Sequence, residues 1–182
     1  MRIIGGKMRG KKLASPDTEA TRPTSDRARE SLFNLLDNHL RRLDKPWADV
    51  IFADVFAGTG AVGTEALSRG AAKSYFFETD KGALKSLRQN IADVESQTVI
   101  FSDALRPPKI DEKPDIIFMD PPYGHGLWLE ALKVLDRQGW VDGETYIVVE
   151  VDKGENDRLP QGYELLDKRA YGRNTFMFVQ KG

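Results

Sequence analysis

The sequence contains no cysteine and only 2 histidines. Without thiols there is no disulfide framework, no thiolate metal site and no mechanism in which a cysteine sulfur attacks. No cluster of metal-ligating residues stands out either, so no metal is expected. No apolar run approaches the roughly 18 residues that a membrane span needs, and Met1-Arg2-Ile3-Ile4-Gly5-Gly6 lacks the hydrophobic stretch of a secretory signal. A cytoplasmic protein with no membrane partner is the expectation. Repeats and low-complexity tracts are absent, and Gly and Pro are spread along the chain instead of gathering into a linker. What is present supports one packed body over residues 1–182: 20.4 kDa, 40% hydrophobic residues, 9 Phe, 5 Tyr and 3 Trp.

The formal net charge of -1 hides an uneven distribution. Residues 1–45 carry 11 Lys or Arg against 6 Asp or Glu, whereas the remainder carries 16 against 22. A basic segment on an acidic body attracts a polyanion locally, because exposed charges act over a Debye length of about 8 to 10 Å. Nucleic acid fits this pattern, and so does a solvated charged face.

Turn signals at Gly5-Gly6 and Gly10 break up Arg2 to Leu13 and predict a small hairpin, the centre of a basic extension over residues 1–21. Arg22-Pro23-Thr24-Ser25-Asp26 reads as a loop and N-cap for a helix running to about Leu43. From residue 50 onward, strand and helix alternate. Strands are expected at 50–56, 74–77, 98–101, 115–119, 146–150 and 175–179, with a weaker one at 163–166; helices are expected through 65–69, along Ala83 to Ile91, and at about 127–136. The last two strands lack an intervening helix and are expected to pair as a hairpin. The fold class is therefore α/β, a doubly wound, mostly parallel sheet with helices on both faces, whose ligand site lies at the carboxyl ends of the strands.

The first strand runs into Asp54-Val55-Phe56-Ala57-Gly58-Thr59-Gly60-Ala61-Val62-Gly63, a G-x-G-x-x-G loop that lets the backbone turn tightly and approach a ligand. Glu78 ends the second strand, where a carboxylate can accept bonds from both hydroxyls of a ribose. Asp103, beside Ala104, follows the third, where it could accept from an adenine amino group. Each of these also fits a plain structural turn; their succession at strand ends favours a nucleoside cofactor. Asp54 lies within its strand and needs donors, which the loop's own N–H groups or a cationic ligand could supply. An acid there disfavours a dinucleotide pyrophosphate and favours S-adenosylmethionine, with its positive sulfonium and amino groups.

Asp120-Pro121-Pro122-Tyr123 directly follows the apolar strand ending at Met119. Two prolines fix the backbone and remove donors, leaving an acceptor-only bend. The Asp120 carboxylate and the Pro121 carbonyl can take both hydrogens of an exocyclic amine and aim its lone pair at a methyl group, while Tyr123 stacks on the base. His39 and His125 are assigned no role, with His39 expected on a helix surface.

Several segments together resemble a known family. They are Met1-Arg2-Ile3-Ile4-Gly5-Gly6, Arg9-Gly10, Arg22-Pro23-Thr24, Arg29-Glu30, Phe33-Asn34, Phe56-Ala57-Gly58-Thr59-Gly60, Glu65-Ala66-Leu67-Ser68-Arg69-Gly70-Ala71 and Asp120-Pro121-Pro122-Tyr123. These look like the RsmD-type methyltransferases, enzymes that methylate a guanine of 16S ribosomal RNA at N2. The resemblance implies a seven-stranded, Rossmann-like class I methyltransferase fold with S-adenosylmethionine as donor. It also implies 16S ribosomal RNA as partner, within a small ribosomal subunit or an assembly intermediate. On this analogy Asp54, Phe56, Gly58, Thr59, Gly60, Glu78, Asp103 and Ala104 line the cofactor site, and Asp120, Pro121, Pro122 and Tyr123 hold the base. Arg2, Lys7, Arg9, Lys11 and Lys12 would contact RNA phosphates, with Arg22, Arg27 and Arg29 nearer the mouth of the site. Thr59 stands where relatives often have Ser. A DNA adenine-N6 or cytosine-N4 methyltransferase, using the same bend on a flipped base, and a non-catalytic RNA-binding protein are the alternatives.

Overall fold

The computed structural model describes residues 1–16, 25–122, 126–152, 158–172 and 174–182. Along the chain come α1 (Asp26–Arg42), β1 (Ile51–Val55), α2 (Ala61–Arg69), β2 (Lys73–Phe77), α3 (Lys81–Ile91), β3 (Gln97–Phe101), β4 (Ile116–Met119), α4 (Leu127–Arg137), β5 (Tyr146–Asp152), β6 (Tyr163–Tyr171) and β7 (Asn174–Lys181). The strands form one seven-stranded sheet in the order β3-β2-β1-β4-β5-β7-β6. β1 to β5 are mutually parallel, and β7 runs antiparallel between β5 and β6.

Alternation of side chains along each strand sorts the apolar residues into two layers. Phe52, Phe76, Phe118, Val148 and Phe178 face α1, α2 and α3, while Ala53, Phe77, Ile117, Met119 and Val149 face α4 and Trp140. Helices therefore cover both faces, three on one and one on the other. On the α4 face Ala104, Leu105 and Ile110, from the helix-free chain between β3 and β4, complete the layer.

Helix ends follow their local chemistry. The Ser25 hydroxyl accepts the Ala28 N–H at the start of α1, and Asp80 accepts the Ala83 N–H at the start of α3. Gly70 closes α2 at φ 113°, a left-handed conformation that a side chain would strain. The expected N-terminal hairpin is a looped ribbon with a single antiparallel bridge, Arg2 to Lys12. Ile3 N–H donates to Lys11 O at 2.9 Å, and Leu13 N–H to Met1 O at 3.1 Å.

Two expectations need correction. The weak strand at 163–166 is instead a nine-residue strand, β6, at the sheet edge. Its exposed Leu165 and Leu166 have no covering layer, which is why its sequence lacks the alternation of a half-buried strand. His39 is half-buried, not a surface residue: its ring stacks on Tyr146 with centroids 3.7 Å apart. Burial and the neighbouring Arg42 hold its pKa below the ordinary histidine value.

Candidate active site at the sheet's switch point

Strand order reverses between β1 and β4, since β2 and β3 lie on one side of β1 and β5 on the far side of β4. In a doubly wound sheet the crevice outside such a point is where ligands bind. The register pairs Val55 with Met119, so Phe56 and Asp120, the next residues, leave the sheet side by side. Asp120 N–H donates to Val55 O at 3.3 Å, fastening the start of the bend to the end of β1. Asp120 is half-buried, Pro121 buried and Pro122 exposed; Tyr123 and His125 lie outside the described residues.

The glycine loop is braced from two strands. Asp54, fully buried, accepts the Gly63 N–H through Oδ2 at 2.8 Å, and Glu78 Oε2 accepts the Gly58 N–H at 2.7 Å. Of the donors anticipated for Asp54, the loop side therefore supplies one. Burial pushes the Asp54 carboxyl up to about 7; the Gly63 N–H pulls it down and the charge of Glu78 pushes it up further. The other oxygen of Glu78 accepts from Thr79 and Asp80 N–H, each at 2.7 Å. Asp103 closes a small turn by accepting the Leu105 N–H at 2.9 Å, beside the buried Ala104.

Left-handed backbone concentrates in this loop: Phe56 has φ 65°, Gly58 φ 55° and Gly60 φ 73°. A β-carbon at Gly60 would lie 2.2 Å from Leu87 Cδ1, so packing excludes it. At Gly58 it would meet nothing within 4 Å. Half-buried Gly58 therefore has open space where a side chain would stand, which leaves its backbone approachable. Phe56, without glycine's freedom, holds a conformation costing about 1 to 2 kcal/mol.

Residues named from sequence only as family marks prove to be the anchors of the N-terminal ribbon. Glu65, buried on α2, accepts the N–H groups of Ile4 at 2.8 Å and Gly5 at 2.7 Å, and pairs with Arg69 at 3.1 Å. Ser68 Oγ accepts from Met8 N–H and donates to Gly5 O. Asn90, on α3, was not anticipated. Its side chain accepts from Ala14 N–H and donates to both Ala14 O and Thr59 O, so one amide ties the ribbon to the glycine loop. An amide on the buried face of α3, beside Leu87 and Ile91, was the available signal.

The expected cationic surface divides. Arg2, Lys7, Arg9, Lys12 and Arg27 are exposed. Lys11 is half-buried, bonded to Asn90 O and paired with Asp93. Arg29 must be corrected: its side chain is wholly buried, with Nη2 donating to Arg2 O and Asp26 Oδ1, so it supports the ribbon and offers no surface to a phosphate. Burial holds its pKa below the ordinary arginine value. Arg22 lies outside the described residues.

Residues 1–180 match the family model described as "Conserved hypothetical protein 95". The chain is 36% identical to "Ribosomal RNA small subunit methyltransferase D" of Escherichia coli, across 100% of this chain and 90% of that protein. It is 33% identical to the protein of the same name from Haemophilus influenzae, across 99% and 93%. The solved structure of the yhhF protein from Escherichia coli superposes with a TM-score of 0.82 at 32% identity, covering 100% of this chain and 97% of that one. Fold, sequence and coverage agree, and the chain belongs to the conserved hypothetical protein 95 family, the RsmD-type methyltransferases.

Proposed function

We propose that this protein transfers a methyl group from S-adenosylmethionine to the exocyclic N2 amine of a guanine in small-subunit (16S) ribosomal RNA. The observation that carries the reading is the adjacency of the glycine loop and the Asp120 bend at the point where strand order reverses. The names of the relatives from Escherichia coli and Haemophilus influenzae support ribosomal RNA of the small subunit as the substrate class.

The residues at the strand ends suit the donor's chemistry. Open space over Gly58 admits a ligand close to the backbone, Glu78 keeps one acceptor position on Oε2 for a ribose hydroxyl, Asp103 offers an acceptor to an adenine amine, and Asp54 puts a carboxyl under the loop. Phe56, Thr59, Gly60 and Ala104 complete the lining. When bound, S-adenosylmethionine supplies an electrophilic methyl group on a cationic sulfonium.

The chain's own task is to present the amine. In guanine the N2 lone pair is delocalised into the ring, so the nitrogen is a poor nucleophile. The Asp120 carboxylate and the Pro121 carbonyl accept its two hydrogens, which favours a pyramidal nitrogen with its lone pair directed across the crevice toward the glycine loop. Pro122 keeps the bend rigid, and Tyr123 stacks on the base. As positive charge develops on the nitrogen, the acidic bend stabilises it without reorganising. The enzyme acts in the cytoplasm as one unit over 1–182, its basic 1–21 extension holding the RNA through Arg2, Lys7, Arg9 and Lys12, with Arg27 nearer the mouth.

The direct test incubates the protein with methyl-labelled donor and undermethylated small ribosomal subunits, free 16S RNA or DNA, then identifies the labelled nucleoside. N2-methylguanosine is expected. Label in adenine-N6 or cytosine-N4 of DNA, or in no nucleoside, contradicts the reading.

A further inference from the structure

Helix α3 carries Lys81, Lys85 and Arg88 and not one acid. All three side chains are exposed, and their spacing of four and three residues sets them on one stripe. At its N-terminal end this arrangement works against the helix that bears it. Lys81 occupies the first helical position, where the macrodipole favours an anion, and Lys81 and Lys85 repel each other one turn apart. Among the described residues none of the three has an ion-pair partner, in contrast to Lys11 and Lys73, which are paired with Asp93 and Glu112. Arg88, in the last turn, suits the dipole, but Lys81 and Lys85 cost the helix stability and form no ion pair among the described residues, which points to an external anion.

The ribbon brings a second set of cations to the same place. Lys11 contacts Asn90 and Asp93 at the end of α3, Ala14 pairs with Asn90, and Pro16 lies 3.8 Å from the β-carbon position of Gly82 at its start. Residues 11–16 therefore run the length of α3, with Lys12 exposed. Between the two lies a cleft of about 450 Å³ lined by Ser15, Pro16, Lys85, Ser86 and Gln89. Asp80 also borders it and adds one negative charge, its Oδ1 accepting the Ala83 N–H at 2.8 Å. The walls thus offer hydroxyl, amide and ammonium donors. The cleft shares no lining residue with the proposed donor site, although Asp80 stands two residues after Glu78.

We propose that the Lys81-Lys85-Arg88 stripe and this cleft form a docking surface for the phosphate backbone of RNA, continuous with the exposed cations of the N-terminal ribbon. The RNA then contacts the enzyme on the β3 side of the donor site while the target base reaches the Asp120 bend. This rests on the reading of the protein as an RNA methyltransferase and adds where its substrate lies.

The test measures binding of small-subunit ribosomal RNA to the full chain as a function of salt. The variants are Lys81→Gln/Lys85→Gln/Arg88→Gln and a charge-matched control, Lys109→Gln/Lys113→Gln/Lys133→Gln, on the opposite face of the sheet. Each phosphate contact removed lowers the slope of log K against log salt by about 1, so the α3 variant should lose about 3 from the slope and on the order of tenfold or more in affinity. Its affinity for S-adenosylmethionine in the absence of RNA should match that of the parent, which also reports that it is folded. Equal slopes in the α3 variant and the control overturn the docking surface while leaving the enzyme's activity on RNA intact. Failure of the unsubstituted protein to bind RNA overturns the functional reading itself.

Discussion

Asp54, within β1, and Glu78, just after β2, are carboxylates in contrasting surroundings. Glu78, half-exposed, accepts three backbone N–H groups, whereas Asp54 is buried with the Gly63 N–H as its backbone donor. With its carboxyl pushed from 3.8 to about 7 by burial, Asp54 binds a proton in the folded state that the unfolded chain has released. Its contribution to stability is therefore full below about pH 4, falls as pH rises, and is gone by about pH 7. Asp54→Asn keeps an acceptor for Gly63 and removes the titration. Urea unfolding between pH 4 and 7 should show the parent losing stability relative to this variant by on the order of 1 kcal/mol per pH unit. Parallel curves would mean that Asp54 is not the titrating group. At this scale the placement of the glycines, Asp54, Glu78 and Asp120 at or beside the strand ends was legible, because sequence position and residue type suffice for it. Arg29 was misjudged because a cation looks the same in sequence whether its partner is water or Asp26.

Among the elements, α2 and α3 do more than cover the sheet: through Glu65, Ser68 and Asn90 they hold the ribbon against the glycine loop. Asn90→Ala removes one acceptor and two donors, leaving Ala14 and Thr59 without those partners. A stability loss of about 2 to 3 kcal/mol in urea unfolding follows, with faster proteolysis of the ribbon ahead of global unfolding. Wild-type stability and ribbon protection in Asn90→Ala would show that the amide clamp is dispensable. The strands and helices themselves were readable from apolar periodicity, with most ends within a few residues. The exception, β6, is packed mainly at its ends through Tyr163 and Tyr171 and exposed along most of its length, so the burial that writes alternation into a sequence is missing there. The ribbon's attachments were unreadable for another reason: they join residues some 60 to 76 positions apart through backbone groups that every residue possesses.

For the molecule as a whole, the sheet order places the glycine loop and the Asp120 bend on a common rim. Crossover rules implied a doubly wound sheet, and the reversal between β1 and β4 is what brings the glycine loop and the Asp120 bend together from sequence positions far apart. The charge imbalance between residues 1–45 and the rest was visible in composition, but its extension onto α3 was not, since that helix lies in the acidic portion of the chain. Division of labour along the rim predicts that substrate presentation and donor binding separate. Asp120→Ala is the measurement that addresses this most directly, assayed in parallel for methyl transfer to small-subunit ribosomal RNA and for S-adenosylmethionine affinity by calorimetry. Loss of an acceptor aimed at the reacting amine should lower transfer by about a hundredfold or more while donor affinity stays within a few-fold of the parent. Transfer at the parental rate, or a comparable collapse of donor affinity, would contradict the assignment of the bend to the target base.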